Sequence, residues 1–458
     1  MKKIISAVLA AAMILSMTAC SEKGESTASD GSSVVDNAAT SVSDTESAGA
    51  GDSGASDDGA QSEKKLLSNP IPLNAEGDID MEAALSYQTD FDALKASLDA
   101  KTVDPDKPVS ENSNENTLKV FEYLRSIYGK QIITAQQMMD KNPYEDIVYY
   151  NATGDMPAMK GFDFIFATGG YLSDDMVDEA IEWHQQSGGL VTFTWHWNVP
   201  VDVDDHSKGY AFYQEDIVNW SQLNAVTPGT KEYEQVIHDI DLIATKMQRL
   251  ESEGVTVLFR PLHEASGSWF WWGIQDRSTA ENEVFQKLWY MIFDRLENHH
   301  KLTNIIWVWN GQSKHCMVSP NAYDIAGVDF YASSEDHSAQ ESQYSKLEGM
   351  NADSGKMLAL SECGYIPDPA DCKDKGVMWL YYMIWNGDFV YETVGNGIVK
   401  TDLTGTPSPN PERMTNEMLV EYFGNDVFIT HSDLPEFPTG TKAIPEALTT
   451  WEYFKNGG

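Results

Sequence analysis

The regular alternation of short apolar runs with longer amphipathic stretches restricts the fold of this chain more than any other feature. Eight runs beyond about residue 107 have the length and composition of buried strands: Gln131–Gln137, Phe162–Thr168, Leu190–His196, Val255–Glu264, Asn304–Trp309, Ile325–Tyr331, Met357–Glu362 and Trp379–Trp385. Around them lie stretches typical of helices: Thr117–Tyr128, Asp174–Gln186, Tyr233–Glu251 and Thr279–His299. Buried strands that alternate with helices form a parallel sheet. Eight repeats predict an α/β fold of the closed (β/α)8 TIM barrel type.

An open doubly wound sheet is the alternative arrangement. It would lead us to expect a glycine-rich phosphate-binding loop directly after an early strand. Gly188-Gly189 precedes a strand instead of following one. The closed barrel is therefore favoured, and its functional side chains are expected at the carboxyl ends of the strands.

The N-terminus has the pattern of a secretory signal. Lys2 and Lys3 are followed by a largely apolar segment, residues 4–17, and then by small residues that lead into Cys20. The apolar segment is shorter than the roughly 18 to 20 residues that a membrane span needs. A Cys in this place resembles a bacterial lipoprotein signal, so we expect a signal peptide over residues 1–19 and lipid attachment at Cys20. Ordinary secretion is the alternative.

Composition divides the remainder into three parts. Residues 20–64 are rich in Ser, Ala, Gly, Asp and Glu, which predicts a disordered acidic linker, anchored through its lipid. Residues 65–106 contain one predicted helix, Asp90–Leu98, and are expected to be an N-terminal extension packed on the barrel. The catalytic domain is expected to span residues 107–458. The predicted location is the extracellular face of a bacterial cell membrane.

Charge and cysteine content exclude several classes of function. A formal net charge of -40 disfavours binding to nucleic acid, because phosphates would be repelled. Beyond Cys20 the chain has Cys316, Cys363 and Cys372, which are too few for a disulfide framework. Cys363 and Cys372 are near enough in the sequence to bridge locally, and the sequence is compatible with either state. The cysteine spacing fits no zinc motif, and we expect a monomer without metal or cofactor.

Polar and aromatic side chains occur at the ends of several predicted strands. His196 ends the third strand, the fourth leads through Arg260 to His263 and Glu264, and Glu362 ends the seventh. In a barrel these groups meet at one rim, together with further side chains from the ends of strands six and eight: Asp329, Tyr331 and Trp385.

The pair Glu264 and Glu362 has the chemistry that glycoside hydrolysis requires. Retaining enzymes hold two carboxyl groups about 5 to 5.5 Å apart, one as nucleophile and one as acid and then base. Apolar and aromatic neighbours favour the neutral form of Glu264, whereas Arg260 is expected to keep Glu362 ionised. For either glutamate alone, a solvated or salt-bridged loop carboxylate is the ordinary alternative.

The aromatic cluster after Glu264 suggests a platform for sugar rings. Trp269 is the residue we expect to stack on substrate, while Trp271 or Trp272 can equally be core. Trp385 is a second candidate for stacking on substrate. His196 and His263 match no zinc spacing, so hydrogen bonding to sugar hydroxyls or to a carboxylate is the better interpretation.

These residues resemble glycoside hydrolase family 26. The run Arg260–Glu264 (RPLHE), followed by Gly267 and by Trp269–Gly273 (WFWWG), is similar to the acid/base segment of that family. Weaker similarities follow in order along residues 107–440: Pro157–Asp163, Trp195-His196, Asp329–Tyr331, Ser361–Gly364 and Tyr422–Pro435. Cys363 departs from the aromatic or aliphatic residue more usual beside the nucleophile.

The resemblance implies a (β/α)8 barrel, a retaining mechanism without cofactor, and β-mannan as the partner. Glu264 would be the acid/base and Glu362 the nucleophile, with Tyr331 orienting Glu362. The residues lining the substrate subsite would be His196, Arg260, His263, Trp269, Asp329, Tyr331 and Trp385. Asn386 stands where some members carry Arg after the tryptophan, which puts a bidentate sugar contact there in doubt.

The activity implied is that of a retaining endo-β-1,4-mannanase acting on mannan, glucomannan or galactomannan. Within the same family, β-1,3-xylan or mixed-linkage β-glucan are alternative substrates. A sugar-binding lipoprotein that feeds a transporter is an alternative of a different class. It would share the signal and the acidic linker but would have no use for two glutamates at the ends of strands four and seven.

Overall fold

Eight parallel strands close into one barrel in the computed structural model, which describes residues 67–274, 279–395 and 398–437. The strands are β1 (Ile132–Gln137), β2 (Met159–Asp163), β3 (Leu190–Thr194), β4 (Val257–Arg260), β5 (Ile305–Trp309), β6 (Ile325–Phe330), β7 (Met357–Cys363) and β8 (Tyr381–Ile384). Each pairs with its sequence neighbour, and β1 also pairs with β8, where Thr134 lies opposite Tyr382. The predicted (β/α)8 barrel is therefore confirmed.

The bounds of two strands differ most from the sequence prediction, and those of most others by one or two residues. β2 begins at Met159 and stops at Asp163, because the Asp163 carboxylate accepts the Ile165 N–H and starts a 3-10 turn. β4 stops at Arg260, because Leu262 and Glu264 both have φ of 53° and leave the extended conformation. Apolar composition continues beyond both strands, which is why it alone overestimates their length.

Helices surround the barrel. Their bounds are α1 (Met81–Ser86), α2 (Phe91–Ala100), α3 (Glu115–Ile127), α4 (Tyr144–Thr153), α5 (Asp175–Ser187), α6 (Gln222–Ala225), α7 (Lys231–Ser252), α8 (Thr279–Asp294), α9 (Glu341–Asn351), α10 (Pro369–Lys375) and α11 (Asn416–Phe423). A π-helical turn, Arg295–His299, continues α8. The four helices predicted inside the barrel domain correspond to α3, α5, α7 and α8.

The connection between β5 and β6 contains two 3-10 turns, Lys314–Cys316 and Pro320–Ala322, and no α-helix. Helix α2, close to the predicted Asp90–Leu98, packs against α8 and the second of these turns. The Asn321 side chain donates to the carbonyls of Leu98 and Lys101 at 2.9 and 3.0 Å. The extension thus covers the barrel wall where a helix is missing.

A buried apolar cluster connects α3 with the barrel strands and with the end of the described chain. It includes Phe121 and Leu124 of α3, Ile133 of β1, Leu258 of β4 and Ile429. The short strand β9 (Phe428–Ile429) pairs with the first residues of β1. The residues of the barrel strands are therefore almost all buried, and the side chains at the rim stand on a packed core.

Several sequence predictions concern other features of the chain. The signal peptide, Cys20 and the acidic linker lie outside the described residues. Among the described residues, no helix combines the length and apolarity needed to cross a bilayer. Cys316, Cys363 and Cys372 are buried free thiols, so Cys363 and Cys372 do not pair.

Candidate active site

The structure brings the predicted carboxylates together at the carboxyl end of the barrel. Glu264 follows β4, Asp329 is in β6 and Glu362 is in β7. One carboxylate oxygen from each of the three lies within 4.8 Å of the others. The fold therefore brings Glu264 and Glu362, which are 98 positions apart in the sequence, into one acidic cluster with Asp329, as the barrel prediction required.

A buried arginine holds two of these carboxylates. The Arg260 guanidinium donates to Asp329 Oδ2 at 2.8 Å and to an oxygen of Glu362. Arg260 and Asp329 have no exposed side-chain surface. Charges in such a place require partners, and the planar guanidinium suits two carboxylates at once. Arg260 also supplies the positive charge that a metal would bring, so the site fits proton and nucleophile chemistry better than metal binding.

The two glutamates have different hydrogen-bond partners. Tyr331 donates its hydroxyl to Glu362 Oε2 at 2.8 Å, so Glu362 is held by two donors, Arg260 of β4 and Tyr331 directly after β6. Glu264 accepts the Trp269 indole N–H at 2.8 Å through Oε2. Glu362 is therefore oriented firmly, while Glu264 has a single side-chain donor and remains partly exposed.

Burial raises the pKa of both glutamates. The pKa of Glu264 is well above its usual range because of burial and the nearby Asp329 and Glu362 charges. Burial and Asp329 raise the pKa of Glu362 to about 7, although Arg260 acts in the opposite direction. The sequence prediction of a low pKa for Glu362 is therefore wrong, because burial outweighs the guanidinium.

The turn after β4 gives Glu264 its position. The Glu264 N–H donates to the Asn310 carbonyl at 2.9 Å, which fixes the strained left-handed residue. A Cβ on Gly267 would come within 2.4 Å of the Trp269 ring, so this close approach requires glycine. Trp269 is 40% exposed, so part of its ring faces solvent beside Glu264.

The remaining tryptophans have structural partners. Trp271 and Trp272 are fully buried, and their indole N–H groups donate to the carbonyls of Trp197 and His263. Trp385, predicted to bind substrate, is only 3% exposed and lies with its ring centroid 6.0 Å from that of His196. It forms part of the wall of the site in this structure, not an open platform.

The two predicted histidines contact each other. His196 Nε2 lies 3.2 Å from His263 Nε2, and their rings meet edge to face. Burial lowers the pKa of His263 well below its usual range, and His196 and Arg260 act in the same direction. His263 is therefore neutral and carries a single N–H.

Sequence reasoning missed four polar residues of this site. Asp163, at the end of β2, hydrogen-bonds His196, and Thr194, at the end of β3, hydrogen-bonds His263. Asn310, directly after β5, donates to Asp329 Oδ1 at 2.7 Å, and Ser361 donates to the same atom at 2.8 Å. The position of polar residues at strand ends is a signal that could have identified Asp163 and Asn310.

A carboxylate pair beside an exposed indole, at the mouth of a (β/α)8 barrel, is the arrangement used by glycoside hydrolases. A family model described as glycosyl hydrolase family 26 matches residues 109–401, well over half of the chain. The chain therefore belongs to glycoside hydrolase family 26.

Individual relatives agree with this assignment. "Mannan endo-1,4-beta-mannosidase B" of Piromyces sp. is 34% identical over 330 residues, which cover 70% of this chain and 52% of that protein. The crystal structure of a GH26-CBM35 β-(1,4)-mannanase from Podospora anserina matches with a TM-score of 0.62 and 30% identity, covering 73% of this chain and 70% of the other. The chain spans about half the length of the Piromyces relatives that it matches.

A β-mannanase from a symbiotic protist of the termite Reticulitermes speratus is similar over nearly its whole length. Its structure, in complex with a gluco-manno-oligosaccharide, gives a TM-score of 0.61 and 26% identity. The match covers 72% of this chain and 98% of that one. The match therefore extends over nearly all of the protist protein.

Proposed function

We propose that this protein is an endo-β-1,4-mannanase that cleaves mannan, glucomannan or galactomannan by a retaining double displacement. The observation that carries the proposal is the close approach of Glu264 and Glu362, whose carboxylate oxygens lie within 4.8 Å. This separation resembles that of retaining glycosidases and leaves little space for the water that an inverting mechanism holds between the carboxyl groups.

In the first step, Glu264 donates its proton to the glycosidic oxygen while a Glu362 carboxylate oxygen attacks the anomeric carbon. The carbon–oxygen bond to the leaving sugar breaks, and a glycosyl ester forms on Glu362. The raised pKa of Glu264 supports its role as the acid. Arg260 and Tyr331 orient Glu362 for the attack.

In the second step, the Glu264 carboxylate takes a proton from water as the water oxygen attacks the anomeric carbon. The ester bond breaks and returns Glu362 as a carboxylate, and Glu264 is protonated again. Two inversions at the anomeric carbon leave the product in the β configuration. All atoms and charges balance without a cofactor.

The substrate class is inferred from the relatives. The Piromyces protein is named for mannan, and the protist enzyme was crystallised with a gluco-manno-oligosaccharide. The half-exposed Trp269 beside Glu264 supplies a surface on which a pyranose ring can stack. The relatives favour β-mannans over β-1,3-xylan or mixed-linkage glucan, whereas Trp269 can stack on any pyranose ring.

Hydrolysis of a panel of polymers by the full chain tests this proposal. We expect release of oligosaccharides from mannan, glucomannan and galactomannan, with β anomers formed first as followed by NMR. Cleavage of β-1,3-xylan or mixed-linkage glucan without cleavage of mannan would refute the mannanase proposal. Initial α products would refute the retaining mechanism.

Two substitutions test the roles of the glutamates. Glu264→Gln and Glu362→Gln should each lower kcat on mannan by about 10²- to 10⁴-fold or more. An aryl mannoside with an acidic leaving group should restore the first step in Glu264→Gln only, because that leaving group needs no proton. Glu297→Gln, which alters another buried glutamate bonded to Ser110 and Trp307, is the matched control and should keep its activity. A transporter-associated binder would show no turnover in any form.

We also propose that a lipid on Cys20 holds the enzyme at the extracellular face of a bacterial cell membrane. The basic start, the short apolar segment and the small residues before Cys20 support this location. Labelling with a radioactive fatty acid should mark the wild type but not Cys20→Ser, which should enter the culture medium. Cys372→Ser is the control and should remain labelled. An unlabelled wild type in the medium would indicate ordinary secretion.

A further inference from the structure

Three side chains from the loops after β7 and β8 form a stack at the barrel rim. The Arg413 guanidinium carbon lies 4.5 Å from the centre of the Tyr365 ring and 4.7 Å from that of the Phe389 ring. A guanidinium at these distances is attracted by the electrons of a ring face, and its planar shape suits contact with aromatic rings. We call these three residues the arginine stack, and it joins the two loops.

Tyr365 is the buried member of the arginine stack. It lies two residues beyond β7, is 6% exposed, and meets the His337 ring edge to face with centroids 5.2 Å apart. His337 Nδ1 lies 2.7 Å from the carbonyl oxygen of Ile366, so His337 is held by the same loop. Arg413 therefore connects Phe389 to a packed part of the barrel.

Hydrogen bonds connect the two parts of the β8 loop that carry Phe389 and Arg413. The Asn410 N–H donates to the Val390 carbonyl at 2.9 Å, and the Asn410 side chain donates to the Asp388 carbonyl. The Arg413 N–H in turn donates to the Asn410 carbonyl at 2.9 Å. The backbone therefore holds Phe389 and Arg413 close together, in addition to the contact between their side chains.

Phe389 packs against both sides of a hydrogen bond that orients Glu362. Its ring centroid lies 5.4 Å from that of Tyr331, whose hydroxyl donates to Glu362 Oε2 at 2.8 Å. The same ring lies against Gly364, two residues beyond Glu362, where an added Cβ would come within 2.9 Å of Phe389 Cε1. Phe389 therefore contacts the donor and also the chain that carries the acceptor.

We propose that Phe389 and Arg413 are positioning residues for the reaction, because together they hold Tyr331 at hydrogen-bonding distance from Glu362. Arg413 acts through Phe389, and Phe389 acts through Tyr331. Displacement of a reacting group by about 1 Å can cost about 100-fold in rate, so the packing behind its donor affects turnover. The inference rests on the proposed function for the role of Glu362 as nucleophile, whereas the position of Tyr331 does not depend on it.

Phe389→Leu removes the ring behind Tyr331, and Phe389→Tyr is the matched control because it keeps a ring there. The leucine variant should lower kcat on a mannan oligosaccharide by about 10-fold with little change in KM. Loss of the donor raises the pKa of Glu362, so the acidic limb of kcat/KM should move above its wild-type position near pH 7. The tyrosine variant should keep both properties. A raised KM with an unmoved limb would indicate direct substrate contact and overturn the proposal.

Arg413→Met removes the planar cation but keeps a long apolar stem. It should move the acidic limb in the same direction as Phe389→Leu but by a smaller amount, because Phe389 loses its anchor and not its ring. Arg125→Met is the matched control, since Arg125 lies 5.9 Å from the Tyr128 ring in the last turn of α3, which leads into the amino end of β1. That control should keep kcat and the limb. An unmoved limb in Arg413→Met would refute the role of Arg413.

A double-mutant cycle tests whether both residues act through Tyr331. With Tyr331→Phe there is no hydroxyl to position, so adding Phe389→Leu or Arg413→Met should change neither kcat nor the limb further. Additive effects would overturn the proposal, because the two residues would then reach Glu362 by another route, such as the charge of Arg413. The other charged or titratable groups that face Glu362 stay in every variant: Arg260, Glu264, Asp329 and His196.

Crystal structures of the full chain test the geometry without any turnover. In Phe389→Leu the distance from the Tyr331 hydroxyl to Glu362 should exceed about 3.5 Å, or the Tyr331 ring should occupy more than one orientation. A single, unchanged position of Tyr331 would overturn the proposal. If Phe389→Leu does not fold, the same measurements on Arg413→Met decide the question. A wild type that holds Tyr331 on Glu362 but does not hydrolyse mannan would refute the proposed function and leave the positioning of Tyr331 intact.

Discussion

Each of the two central glutamates receives one hydrogen bond from an aromatic side chain. Tyr331 donates to Glu362, and Trp269 donates to Glu264. A donor to a carboxylate stabilises the ionised form and lowers its pKa. Burial acts against both donors, since it raises the pKa of Glu362 to about 7 and that of Glu264 well above its usual range. Single residues therefore adjust the pH range in which one glutamate is ionised and the other protonated.

Tyr331→Phe should move the acidic limb of the pH profile of kcat/KM to higher pH. The nucleophile must be ionised, so activity rises as pH increases through the pKa of Glu362, near 7 in the wild type. Removing the hydroxyl raises this pKa further and should also lower kcat by about 10-fold or more, because the carboxylate loses an orienting donor. Initial rates between pH 5 and 10 measure the shift.

Trp269→Phe is the control for that experiment. It removes the indole donor to Glu264 but keeps an aromatic ring, so the basic limb should move to higher pH while the acidic limb remains. A shift of the same limb in both variants would contradict the assignment of separate donors to separate glutamates.

At the scale of elements, the N-terminal extension completes the barrel wall. Helix α2 packs where the connection from β5 to β6 lacks an α-helix, and α1 packs against α7. Ile79 and Leu98 of the extension are buried, and Ser68 donates its hydroxyl to the buried Glu251 at 2.6 Å. Residues 67–106 are therefore part of the folded unit and not a spacer.

Deleting residues 67–106 should lower the thermal midpoint by at least about 5 °C. Burial of one large apolar side chain contributes about 1.5 to 3 kcal/mol to the free energy of unfolding. The deletion removes two of them, Ile79 and Leu98, and exposes the surface of α8 that the extension covers. Calorimetry measures the midpoint. Asp90→Ala removes only the N-cap bond to Ala93 and should cost about 1 kcal/mol. An equal midpoint for the deletion and the wild type would show that the extension is dispensable.

At the scale of the whole molecule, the charge distribution makes stability depend on pH. Burial raises the pKa of Glu145 to about 8 and that of Glu297 to about 7. His238 is raised to about 9 by Asp239 and Asp78, although its burial acts in the opposite direction. The formal net charge of -40 adds repulsion that becomes stronger as these groups lose protons.

Thermal stability should therefore decrease as pH rises from 6 to 9. The two buried glutamates release protons more readily in the unfolded chain, so unfolding is favoured as pH rises toward their folded pKa values. The stabilising contribution of protonated His238 is complete below 6.5 and is lost as pH rises through about 9. Differential scanning calorimetry across this range tests the slope.

His238→Gln and Glu297→Gln should each make that slope shallower, because each removes one group that titrates differently in the two states. Added salt should raise the midpoint most at high pH, where the negative charge is greatest. A midpoint that increases with pH would contradict the pKa shifts from which the prediction is drawn.

The amino-acid sequence by itself determined the number and type of the main elements and the residues that meet at the barrel rim. Apolar runs identify strands whichever way they pack, and parallel strands in a barrel bring their carboxyl ends to one rim. For this reason Glu264 and Glu362 could be predicted to converge, although they are 98 positions apart. The ends of β2 and β4 could not be predicted. Asp163 and the left-handed Leu262 end these strands, although the sequence remains apolar beyond them.

Tertiary structure alone decided the hydrogen-bond partners of the site residues and the pKa values of the two glutamates. Asp163 and His196 are 33 residues apart and Asn310 and Asp329 are 19 apart, so no local pattern links them. The pKa of Glu362 depends on how far burial outweighs Arg260, and the sequence predicted the wrong direction because it contains no measure of solvent exclusion. Chemistry of residue types can be read along the chain, whereas hydrogen-bond direction and pKa depend on distances that exist only after the barrel closes.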